Sequence, residues 1–139
     1  MNFVLDKSVT MRWFFGDGEP QTLAYAREVL DAMKEATALV PMIWGLEVAN
    51  VIARAEAKGL VPEARSRRFL SMLEDLDVQA DDRTFAHALS DTLNLARRYQ
   101  LSSYDASYLE LALREELPLA TADADLRKAA KRAGVRPFP

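Results

Sequence analysis

Four acids in this sequence stand where a carboxylate can either serve a helix or hold a cation. They are Asp6 after "FVL", Glu47 in "PMIWGLEVAN", Asp105 in "LSSYDASYLELA" and Asp123 in "LATADADL". Asp105 shares a helix face with Tyr108, Leu109 and Ala112, the face that wants burial. Glu110, Glu115 and Glu116 fall mostly on other sides, open to water. Each of the four acids has an ordinary structural use. Asp6 and Asp123 suit N-caps, Asp105 completes a Ser-x-x-Asp capping box with Ser102, and Glu47 is favoured early in a helix by the macrodipole. Together they allow more. Carboxylates gathered in one cleft repel one another and lose hydration, so at neutral pH they take protons or cations. Oxygen donors favour Mg²⁺ or Mn²⁺, and such ions activate water and stabilise the leaving oxygen of a phosphodiester. Asp125 adds a fifth acid, placed either to hold an ion through water or merely to favour its helix N-terminus.

The elements that must bring these acids together alternate between short apolar runs and long helical patterns. "FVL" (3–5), "ALVP" (38–41), "DVQA" (77–80) and "LPLAT" (117–121) read as strands, with "VRPF" as a final one. Between them, helices are expected over 7–15, 21–36, 42–59, 62–76, 82–99, 103–116 and 122–134, punctuated by Gly and Pro. Short strands alternating with longer helices predict an α/β layer fold with a small, mostly parallel sheet covered on both sides. In such a sheet ligands bind beyond the carboxyl ends of the strands. Asp6 and Asp123 follow strands at that edge, and Glu47 and Asp105 lie early in their helices.

The totals agree with one globular domain spanning 1–139. Half the residues are hydrophobic and 28% are charged, and a chain of this length buries about two-thirds of its unfolded surface. No 18-residue apolar run suggests a membrane span, and "MNFVLDKSV" lacks the pattern of a signal peptide. With no cysteine there is no disulfide frame, and a cytoplasmic setting is the expectation. The formal charge of −3 provides no general attraction to nucleic acid; metal ions at a local site would.

The motifs resemble the PIN-domain ribonucleases, most closely the VapC-type toxins of toxin–antitoxin (VapBC) pairs. The family's strand–Asp–x–Ser/Asn–Val opening is matched by "FVLDKSV", which carries Asp6 and Ser8. Its Glu early in the helix after strand two is matched by Glu47, flanked by Pro41 and Asn50. Its third and fourth acids are matched by Asp105 in "LSSYDASYLELA" and by Asp123, with Thr121, in "LATADADL". All four motifs occur in order over essentially the whole chain. Lys7 departs from the small residues frequent at its position. The resemblance implies a PIN-like three-layer α/β/α fold and Mg²⁺- or Mn²⁺-dependent endonucleolytic cleavage of RNA, silenced by a cognate antitoxin. It implies that Asp6, Glu47, Asp105 and Asp123 hold the metal, with Ser8 and Thr121 orienting carboxylates or waters. It implies an antitoxin groove near the 47–76 hairpin and a homodimer, or a larger toxin–antitoxin assembly.

Other features carry less. His87, the single histidine, has no partner acid motif and reads as a helix residue. Trp13 and Trp44 read as core or interface anchors. Arg65, Arg67, Arg68, Arg97 and Arg98 read as solvated helix faces, with RNA backbone contact the minority use. Between Val51 and Leu73, apolar residues such as Ile52, Leu60, Val61, Phe69, Leu70 and Met72 are more than one small sheet covers. An aspartyl-phosphate enzyme of the haloacid dehalogenase kind needs a second acid where Ser8 stands, and a receiver domain needs an acidic pair near the first strand. The remaining alternative is a non-catalytic PIN-like module that binds RNA or a protein, whose usual sign is the loss of one of the acids.

Overall fold

Strand β1 (Asn2–Leu5) lies inside a four-stranded parallel sheet with β2 (Thr37–Val40), β3 (Val78–Ala80) and β4 (Leu119–Ala120), in the order β3-β2-β1-β4. The computed structural model describes all residues, 1–139. Phe3, Val4 and Leu5 are wholly buried, as expected for a strand covered on both faces. Phe3 and Leu5 pack with Val9, Ala26, Val29 and Phe138 on one side. Val4 faces the other way, onto Tyr108, Leu109, Leu119 and Leu126. Each large apolar side chain so buried contributes about 1.5–3 kcal/mol. Helices thus cover both faces, giving the expected three-layer α/β/α arrangement.

The helices are α1 (Lys7–Phe15), α2 (Pro20–Ala32), α3 (Ile43–Ala57), α4 (Glu63–Glu74), α5 (Thr84–His87), α6 (Leu93–Tyr99), α7 (Ser103–Glu115) and α8 (Ala124–Ala133). None is long and apolar enough to cross a membrane. Helix α1 ends as its sequence demands, with Gly16 in the left-handed region at φ 65°. The surplus apolar residues of α3 and α4 are covered by α1, not by the sheet: Met11 and Phe14 pack with Val48, Ile52, Val61, Phe69 and Leu73. Leu60 and Leu70 remain exposed.

Three expected elements need correction. The helix expected over 82–99 is broken by a π turn at Ala88–Thr92. A wider turn adds a residue to the repeat, so Thr92 turns inward while Phe85 and Leu89 face outward. The helix expected to reach residue 36 ends at Ala32. "VRPF" forms no strand; Leu119 pairs with Pro137 as a single bridge. Pro137 and Pro139 have no N–H to extend a ladder, and Phe138 is held by one N–H bond to the Leu119 carbonyl at 3.1 Å and by stacking on Phe3 at 3.9 Å between ring centroids.

Glu110, expected to face water, is buried. Arg114 pairs with it (Nε to Oε2, 2.8 Å) and grips Asp81 with two further bonds of 2.6 and 3.1 Å. His87 also has an acid partner, Asp91 Oδ2, 2.8 Å from Nδ1. Among the arginines expected to be solvated, Arg65 instead donates to the Phe14 carbonyl and lies over the Phe14 ring.

Candidate metal centre

The strand order places β4 beside β1 on the side opposite β2, so the connections diverge at the carboxyl ends of β1 and β4. That divergence makes the crevice in which open parallel sheets bind ligands. The Asp6 N–H donates to the Ala120 carbonyl at 2.9 Å, which fixes the two strand ends together.

Asp6 occupies the N-cap position of α1 in extended geometry, yet its side chain makes no capping bond. Its Oδ2 instead accepts from Ser8 Oγ at 2.6 Å and from Thr121 Oγ1 at 2.8 Å. Those hydroxyls are held in turn: Ala122 N–H donates to Ser8 Oγ and Asp123 N–H donates to Thr121 Oγ1, at 2.9 and 3.0 Å. Asp6 Oδ1 is buried with no partner. Burial pushes the Asp6 carboxyl up to about 6, against the hydroxyls and Lys7. An unsatisfied carboxylate oxygen in this setting is costly unless a cation comes to it.

Glu47 projects from α3 to the same place. Its Oε2 accepts from Lys7 Nζ at 2.5 Å and its Oε1 from Tyr108 Oη at 2.6 Å. Lys7 Nζ also lies 3.7 Å from Asp105 Oδ1. Burial pulls the Lys7 ammonium down, but Glu47, Asp6 and Asp105 outweigh it and hold it above the ordinary lysine value. Burial raises the Asp105 carboxyl despite Lys7, and Asp123 and Glu47 add to the rise. Burial also raises Tyr108, which stays a phenol and donates.

The local helix chemistry separates structural from spare acids. Ser102 caps α7 by accepting from the Asp105 N–H at 3.0 Å. The Asp105 side chain returns no such bond and turns towards Lys7. Ser102→Ala is expected to cost about 1 kcal/mol, read as a lower urea midpoint with an unchanged slope. Asp123 does cap its helix: Oδ2 accepts from Leu126 N–H at 2.8 Å. Asp125 is exposed in the first turn of α8, away from this hydrogen-bonded set.

Glu47 and Asp105 therefore meet at Lys7, the residue next to Asp6, and Asp123 is linked to Asp6 through Thr121. No three acids close around one point at ligand distance, because the Lys7 ammonium lies between Glu47 and Asp105 and Asp123 is engaged as a cap. The spare buried oxygen of Asp6 and the all-oxygen donor set nonetheless fit Mg²⁺ or Mn²⁺. Lys7 and Tyr108 were not legible as Glu47 partners. The available signals were the position of Lys7 beside Asp6 and of Tyr108 on the Asp105 face.

Residues 3–132 match the PIN domain family. The chain belongs to that family. No curated protein matches it closely. Among solved structures, this PIN domain is similar to PAE2754 from Pyrobaculum aerophilum, at 22% identity and a TM-score of 0.67 over 93% of this chain and 79% of that one. It is similar to VapBC2 from Rickettsia felis bound to a DNA fragment from their promoter, at 11% identity and TM-score 0.67 over 99% and 98%. It is also similar to a toxin–antitoxin complex from Klebsiella pneumoniae, at 21% identity and TM-score 0.56 over 87% and 86%. At these identities the likeness is one of fold. PIN domains are generally nucleases that use divalent metals.

Proposed function

We propose that residues 1–139 form one PIN domain acting as a VapC-type toxin: an Mg²⁺- or Mn²⁺-dependent endoribonuclease whose metal ligands are drawn from Asp6, Glu47, Asp105 and Asp123. The observation that carries this reading is the buried, unpartnered Oδ1 of Asp6 at the β1/β4 crevice, beside Lys7, on which Glu47 and Asp105 converge. A divalent ion held there supplies an activated water and neutralises charge on the phosphodiester. The chain's own residues prepare the place. Ser8 and Thr121 hold one oxygen of Asp6 and leave the other for a ligand, and Tyr108 and Lys7 fix the plane of Glu47. No side chain here serves as a nucleophile.

The antitoxin partner is supported by the toxin–antitoxin complex among the similar folds and by an apolar groove of about 370 Å³ between α3 and α4. Trp44, Val48, Ile52 and Leu70 line that groove. A homodimer has its own candidate surface in exposed Met42, Leu46, Phe85 and Leu89, on elements joined where the Met42 N–H donates to Thr84 Oγ1. Cellular RNA as substrate makes the cytoplasm the place of action.

The deciding experiment is cleavage of total RNA by purified protein freed of its partner, with Mg²⁺, Mn²⁺ or EDTA. Discrete fragments that require the metal support the reading. Intact RNA under every metal, from folded protein, sinks it in favour of a binding module. The hydroxyl supports provide a finer check. Thr121→Val removes a donor to Asp6 and the acceptor for Asp123 N–H, so Mn²⁺ affinity measured by calorimetry should fall about 10–100-fold.

A further inference from the structure

Lys7 places a permanent cation among the acids, and its geometry bears on how many metal ions they accept. Its side chain is only 28% exposed, Nζ lies 2.5 Å from Glu47 Oε2, and Asp105 Oδ1 is 3.7 Å away. Nζ also lies 6.0 Å from the centre of the Tyr108 ring, whose hydroxyl holds the other oxygen of Glu47. Glu47 is thus engaged at both oxygens, and Asp105 is engaged at long range. Asp6 differs: its Oδ1 is buried and has no partner at all. Four carboxylates and one ammonium carry three net negative charges. One divalent ion nearly neutralises them. A second would make the group net positive and would have to stand against the ammonium at the position Lys7 already fills.

We propose that Lys7 is a tethered counter-cation that takes the second cation position, between Glu47 and Asp105, so that this protein binds a single divalent ion, on the Asp6 side. Lys7 then acts through Glu47 and Asp105 as a positioning residue. The inference rests on the metal-dependent reading above and deepens it.

Titration with Mn²⁺, followed by calorimetry and by electron paramagnetic resonance, tests it on wild-type protein and on Lys7→Met, Lys7→Gln and Lys7→Arg. The expected result is one ion in the wild type and in Lys7→Arg. Whichever neutral variant folds should take two ions, with the broadened spectrum of a coupled manganese pair. Two ions in the wild type overturn the inference whether or not the variants fold, and leave the metal-dependent reading standing. One uncoupled ion in a folded neutral variant also overturns it. No Mn²⁺ bound by the wild type overturns both.

Discussion

Asn in place of Asp6 is expected to give a protein that no longer cuts RNA yet, free of divalent ions, unfolds at a higher temperature than its parent. The two effects have one cause. Burial raises the Asp6 carboxyl from 3.8 to about 6, so at pH 7 the metal-free fold holds an ionised group against its preference, at a cost of about 3 kcal/mol. The sign follows from the raised value. The penalty is absent below the ordinary pKa, grows between there and about 6, and is complete above it. Lowering the pH from 7 towards 5 therefore stabilises metal-free wild type, while Asp6→Asn lacks this response. Mn²⁺ reverses the order, because an ion bound only to the folded wild type adds stability with its concentration. For activity, loss of outer support to a metal ligand costs 10–100-fold, so loss of the ligand itself is expected to exceed about 100-fold. Thermal unfolding with EDTA or Mn²⁺ at pH 5 and 7, beside the cleavage assay, reads all of this. If Asp6→Asn is the less stable protein in EDTA at pH 7, the carboxylate is structural and the metal reading loses its main support.

What could be read from the chain beforehand was whatever short-range chemistry controls. Helix α1 begins and ends where "KSVTMRWFF" and Gly16 require, and the strand-end positions of Asp6 and Asp123 follow from apolar runs beside them. The face of Asp105 was likewise visible from its spacing to Tyr108. Pairings across the fold were not. Lys7 meets Glu47 from 40 residues away, Tyr108 meets it from 61, and Arg114 meets Asp81 from 33. Such contacts depend on how helices seat on the sheet, which no local pattern encodes. Glu110 misled for a related reason. Its place off the Asp105 face reads as solvent-facing, and only Asp81, arriving from the end of β3 to meet Arg114, makes that side a buried cluster.

That cluster sets the second large expectation: Arg114→Met should destabilise the fold by about 3–5 kcal/mol, with cleavage per folded molecule kept. The side chains of Arg114, Asp81 and Glu110 are 13%, 7% and 6% exposed. Removing the guanidinium strands two acids in low dielectric, which costs far more than the intact pair contributes. The acids at the β1/β4 crevice are spared, since Asp105 and Tyr108 stand at the other end of α7. The pH dependence separates this from simple loss of packing. Burial alone would raise Asp81, but Arg114 outweighs it and holds the carboxyl below its ordinary value. In wild type this contributes stability present above the ordinary pKa and lost as pH falls through the depressed one. In Arg114→Met burial is opposed only by the Arg83 N–H and the Thr84 hydroxyl, so protonation relieves the stranded Asp81 and the deficit shrinks from pH 7 to pH 5. Urea unfolding at both values measures it. Adding Asp81→Asn and Glu110→Gln should recover most of the loss at pH 7, because the charge and not the shape is what the variant leaves unpaired. A deficit under about 1 kcal/mol at pH 7, the range of exposed pairs, would mean that water reaches the cluster and that Arg114 does not tie β3 to α7.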